Sequence, residues 1–156
     1  MYKDGDRQAL IEAYLARGYM RHFMPEGTSG VVLKHPAFDQ NPKEVEHTLP
    51  VAAAYALQGH LFVLKSELID EHGQGIPSPE GFVNMEANVV EVKHATTGTP
   101  NNIKNAISAA GKGGVKIRAV WVAGKTTPET LARIINGEMR SNHGRYRLDI
   151  FYRTRL

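Results

Sequence analysis

The chain of 156 residues contains no cysteine. Disulfides, thiolate-bound metals, zinc ribbons and cysteine nucleophiles are excluded with it. No apolar run approaches the length of a membrane-crossing helix. The opening Met1-Tyr2-Lys3-Asp4-Gly5-Asp6 is too polar for a signal peptide. There is no internal repeat and no low-complexity tract. Tryptophan occurs once, at Trp121 in an apolar stretch, and reads as core. The seven histidines, His22, His35, His47, His60, His72, His94 and His143, show no helical i, i+3 or i, i+4 pairing. A dedicated zinc site is not expected from such spacing.

What is present fits one globular domain. The hydrophobic fraction is 42% and the length supports a real core. Net charge is only +3, but its distribution is uneven. Residues 1–86 carry 7 Lys and Arg against 12 Asp and Glu, a net of −5. Residues 87–156 carry 12 against 4, a net of +8. A basic half of this kind favours a polyanionic partner, and a dipolar soluble protein would show the same split.

Periodicity predicts a helix over Arg7 to Tyr19, closed by Gly18. A glycine- and proline-rich join from Pro25 to Pro42 holds a possible strand at Val31 to Leu33. A second helix is expected from Lys43 to Gln58, with Pro50 interrupting or opening its apolar part and Gly59 closing it. Leu61 to Leu64 reads as a buried strand. Phe82 to Met85 and Val89 to Lys93 read as a hairpin turning near Glu86-Ala87-Asn88. Pro100 suits the first turn of a helix running to Ala110. Val115 to Val122 reads as a central strand. Thr127 caps a helix to about Gly137, and Arg147 to Arg153 forms a last strand. The pattern predicts an α/β or α+β mixed sheet with helices packed on it. Residues 1–42 read as an N-terminal extension, and 43–156 as the main body of a single domain.

The chemistry concentrates between Pro79 and Lys93. Side chains in a strand alternate, so Glu91 and Lys93 of Glu91-Val92-Lys93 share a face. Glu80 sits on the preceding strand. Two carboxylates suit a hard divalent cation such as magnesium, which polarises a phosphoryl oxygen and activates water. Lys93 then stabilises developing charge or orients the nucleophile. Taken alone, Glu and Lys two apart are also a common solvated strand face. Glu46 is a further acid, equally at home in the first turn of its helix. Lys104 follows on the next helix, whose amino end, with Thr97 in the loop before it, can hold phosphate. Arg145, Tyr146, Arg147 and Arg153 form a basic, aromatic-bearing terminal segment suited to RNA: arginines on phosphates and a ring on a base.

Pro79-Glu80 followed by Glu91-Val92-Lys93, within helix–strand–strand–strand–helix–strand, resembles the PD-(D/E)xK nuclease core. More narrowly, residues 46–122 resemble the C-terminal toxin nuclease domains of contact-dependent growth inhibition systems. Glu46, Ala52 to Ala54, Gly59, Leu61 to Leu64 and Asn102-Ile103-Lys104-Asn105-Ala106-Ile107 carry the rest of the likeness. Glu80 stands where that pattern more often has Asp.

The resemblance implies a bacterial toxin-type nuclease hydrolysing phosphodiester bonds in RNA, with tRNA the expected substrate. It implies a divalent cation, Mg2+, on Glu80 and Glu91, with Lys93 and Lys104 completing the catalytic set. It further implies a cognate immunity protein and delivery into a target-cell cytoplasm; without a toxin role a soluble cytoplasmic protein is expected. The alternatives left open are a DNA endonuclease on the same core, a metal-independent RNase of the barnase or colicin kind using Lys93 with His94, His143 and the C-terminal arginines, and a non-catalytic immunity or adaptor protein.

Overall fold

The computed structural model describes residues 4–38, 42–65, 80–112, 114–142 and 145–152. Four helices and seven strands occur among them, a mixed α/β architecture. The chain packs as two compact units, Met1–Val89 and Val90–Leu156. The sequence boundary between residues 42 and 43 falls inside the first of these. No described helix is long and apolar enough to cross a membrane.

The first unit holds α1 (Asp4–Ala16), β1 (Met20–Phe23), β2 (Val31–Lys34), α2 (Pro42–Leu57), β3 (Leu61–Leu64) and β4 (Gly81–Val83). β2 and β3 are parallel, with Val32 beside Phe62 and Leu33 beside Val63. They are joined through α2, as a parallel pair requires a crossover. β1 joins β2, and β4 joins β3, both antiparallel.

Alternation along β3 divides the core. Leu61 and Val63 pack with Leu33, Phe82 and the α1 residues Ile11 and Tyr14. Phe62 turns the other way and stacks on Tyr55 of α2, with ring centroids 5.4 Å apart. Pro50 lies inside α2 and the helix continues through it. The cost is one missing amide donor toward the carbonyl four residues earlier.

A polar clasp closes the unit. Arg7 of α1 donates to the Ser29 carbonyl (2.8 Å), the Gly59 carbonyl (2.7 Å) and Asn84 Oδ1 (3.2 Å). Asn84 Oδ1 also accepts from the Leu61 amide, and Asn84 Nδ2 meets His60 Nδ1 at 2.9 Å. Asn84 adopts φ +64°, a conformation asparagine tolerates better than most residues.

The second unit holds β5 (Val89–Ala95), α3 (Pro100–Ala110), β6 (Ile117–Val122), α4 (Pro128–Asn142) and β7 (Arg147–Tyr152). Its strands are all parallel, in the order β5-β6-β7. The apolar stripe of α3, Ile103, Ala106, Ile107 and Ala110, is buried as its helical spacing predicts. With Leu131 and Ile134 of α4 it covers Ala95, Val120, Val122 and Leu148. Both helices therefore lie on one face of the strands. Thr99 and Thr127 cap them: Thr99 Oγ1 accepts from the Asn102 amide and Thr127 Oγ1 from the Thr130 amide.

Several elements differ from the sequence reading. α1 spans Asp4–Ala16 and β4 Gly81–Val83. β1 has no apolar alternation and is mostly exposed, and the sequence assigns its residues to no element. Backbone pairing with β2, which sequence periodicity does not report, makes it a strand. β6 begins at Ile117 rather than Val115. α4 runs on past Gly137 to Asn142 because Met139 keeps the apolar stripe packed on the core.

Candidate functional site

Strand register decides which side chains share a face in the second unit. Glu91 aligns with Arg118 and Leu148, Lys93 with Val120 and Ile150, and Ala95 with Val122 and Tyr152. Ala95, Val120, Val122 and Leu148 pack against α3 and α4. Glu91, Lys93 and Arg118 thus lie on the helix-bearing face, Glu91 and Arg118 toward the amino ends of the strands and Lys93 just past the middle of β5. Lys93 Nζ stands 3.5 Å from Glu91 Oε1, with the lysine side chain 42% exposed and the glutamate 15%. The acid is sheltered and the amine reaches solvent.

Arg118 was not singled out by the sequence, and it organises this end of the unit. Its guanidinium carbon lies 3.5 Å from the centre of the Tyr146 ring, a close cation–π stack. Its Nη1 donates to the Ile107 carbonyl near the end of α3. Gly111 caps that helix, and a Cβ there would come within 2.2 Å of the guanidinium. Glycine at 111 gives Arg118 room to cross the helix terminus. The Tyr146 hydroxyl donates to Glu138. Burial, followed by the bond to Glu138, raises the phenol above its ordinary value, while Asn142 and Arg118 pull the other way.

The structure brings Glu91 and Lys93 together and sets Tyr146 against Arg118, with Arg145 and Arg147 its chain neighbours. Arg147 is spent on Asp149, through Nη2 at 3.0 Å and Nε at 3.1 Å. One face of the Tyr146 ring is occupied by Arg118, so that face is not offered to a base.

Thr97 follows Ala95 at the opposite, carboxyl end of the strands. Its hydroxyl accepts from Asn102 Nδ2 at 2.8 Å and meets Thr99 Oγ1 at 3.1 Å. Lys104 is exposed on α3 beside the buried Ile103. Glu46 is exposed on α2. Glu80 belongs to the first unit, is 4% exposed, and its carbonyl accepts from the Lys65 amide at 2.7 Å. Pro79, His143 and Arg153 lie outside the described residues.

A divalent cation needs several oxygen ligands converging on one point. Among the described residues no three His, Asp or Glu side chains are grouped to hold one. Glu91 is already engaged by Lys93. The described residues thus show no three-group site for the ion that the resemblance implies, and no chemical step below passes through one.

Sequence reasoning missed Arg118 and Lys116; Arg140 opens the basic segment it noted. A faint signal existed in Lys112, Lys116 and Arg118, three cations four and two residues apart leading into a strand. Comparison with protein families, with curated proteins and with solved structures gave no match to this chain.

Proposed function

We propose that the chain is an endoribonuclease whose chemistry resides in the second unit, at Glu91 and Lys93. One observation carries the reading: a solvent-reaching ammonium 3.5 Å from a sheltered carboxylate, in a segment of net charge +8. RNA brings its own nucleophile, the ribose 2′-hydroxyl. In this reading Glu91 accepts the hydroxyl proton as the oxygen attacks the adjacent phosphorus. Lys93 stabilises the negative charge that builds on the phosphoryl oxygens as the bond to the 5′-oxygen breaks; that oxygen takes a proton from water and a 2′,3′-cyclic phosphate is left. The ion pair in the free protein holds the two groups beside each other.

The resemblance in the sequence extends this reading to a toxin-type nuclease acting on tRNA, delivered into a target cell and neutralised by a partner protein. Incubation with total tRNA and with plasmid, each with magnesium and with chelator, tests it. Cleavage of tRNA that survives chelator and disappears in Lys93→Ala is the expected result. Cleavage abolished by chelator would replace the 2′-hydroxyl mechanism with a metal-assisted one. Attack on plasmid alone would move the activity to DNA. Folded protein that cuts neither polymer would end the hydrolase reading.

A further inference from the structure

We propose that the amino-end rim of the second unit is a docking surface for the phosphate backbone of a double-helical RNA segment. The proposal rests on the RNA reading above but not on catalysis. Because β5, β6 and β7 are parallel and α3 and α4 return between them, one end of the unit collects both helix termini and the starts of β6 and β7. Five cations gather there. Lys112 follows α3, Lys116 precedes β6, Arg118 lies in β6, Arg140 is in the last turn of α4, and Arg145 precedes β7. The Arg147 amide bonds the Lys116 carbonyl at 2.8 Å, tying the two strand entries together.

All but Arg118 are exposed. Among the described residues none of the five is paired with a carboxylate. Arg118 meets a carbonyl and a ring face, Arg140 donates to the Asn136 carbonyl and Arg145 to the Asn142 carbonyl. Two basic side chains nearby, Lys93 and Arg147, do have acidic partners. The rim therefore presents uncompensated positive charge.

Complementarity to the helix dipoles accounts for Lys112 and Arg140 alone, since only these two sit at helix carboxyl ends. Lys116 and Arg145 need another reason. Single strands are gripped by stacking bases on aromatic rings, whereas double helices are gripped through phosphates and shape. The rim's aromatic, Tyr146, stacks on Arg118 and holds Glu138. Cations without an open ring fit a phosphate backbone in fixed array.

The test is binding, in the Lys93→Ala background so that nothing is cut. A fluorescent RNA hairpin and an unstructured oligouridine are titrated by anisotropy across a salt series. The hairpin should bind more tightly than the single strand. The variant Lys112→Gln/Lys116→Gln/Arg140→Gln/Arg145→Gln should lose about tenfold or more in hairpin affinity at low salt. Its log–log salt slope should fall by about three to four, near 0.9 for each phosphate contact removed. Arg21→Gln, an exposed cation on β1 of the first unit, should change neither.

Equal affinity and slope in the rim variant, with an unchanged melting temperature, would overturn the proposal. So would tighter binding of oligouridine than of the hairpin. Hairpin binding through the rim in a protein that cuts no RNA would leave the docking surface standing while removing the enzyme. Cleavage without rim dependence of binding would do the reverse.

Discussion

The two units solve the same packing problem with opposite use of charge. The first, residues 1–89, carries a net −5, and the second, residues 90–156, carries +8. The packing boundary at Val89 and Val90 coincides with the change of sign. In the first unit an arginine is consumed internally: Arg7 holds two carbonyls and Asn84. In the second, two helices pack on a parallel sheet, and five cations stand at the rim. Part-buried polar bonds are the fastener in one unit. In the other, the exposed cations of the rim have no carboxylate partner among the described residues.

Breaking the second unit's proposed function gives the largest expected effect. Lys93→Ala should lower RNA cleavage by about a hundredfold or more, as loss of a positioned charge typically does. Circular dichroism and melting temperature should barely change, because the Lys93 ammonium reaches solvent and such an ion pair contributes little to stability. Loss of fold in this variant would recast Lys93 as structural.

The fasteners can be compared directly. Ile107→Ala in α3 removes a fully buried side chain at the centre of the second unit's core. It should cost about 2–4 kcal/mol in denaturant unfolding. Arg7→Ala in the first unit removes donors to two carbonyls and Asn84, and should cost about 1.5–3 kcal/mol. An Arg7→Ala cost below a few tenths of a kcal/mol would show that the clasp decorates the first unit rather than fastens it.

The smallest effect is one of pH, and it belongs to the first unit. Burial, and after it the nearby Arg17 guanidinium, holds the His35 imidazole below its ordinary value of 6.5. Its Nδ1 accepts from the Ala37 amide at 3.0 Å, which a protonated ring cannot do. Between the depressed folded value and 6.5 the unfolded chain binds more protons. Stability conferred by neutral His35 is therefore present above about pH 6.5 and declines as pH falls through that value. His35→Gln should lessen the fall in melting temperature between pH 7.5 and 5.5. An unchanged pH profile would show that other histidines carry it.

Much of the fold is legible along the chain. The stripe Ile103, Ala106, Ile107 and Ala110, and the cap-and-proline pairs at Thr99-Pro100 and Thr127-Pro128, predict α3 and the start of α4 from local rules. Strand β3 is contained in four consecutive apolar residues. β1 is not legible in this way, because its four residues are strand only through pairing with β2. The site divides in the same manner. Alternation along β5 puts Glu91 beside Lys93. Arg118 enters only through the parallel register of β6, and Tyr146 only through α4 and β7 returning to the same end.

Composition and period determined by themselves that this is a mixed α/β chain with a sharp acidic-to-basic division and an acid and an amine sharing one strand face. These are properties of near neighbours, and near neighbours are what a sequence records. Tertiary structure alone decided that Arg118 stacks on Tyr146, that Thr97 and Arg145 lie at opposite ends of the strands, and that five cations with no carboxylate partner among the described residues share one rim. Each depends on strand register and crossover direction, which bring together residues far apart in the chain through contacts that no local pattern encodes.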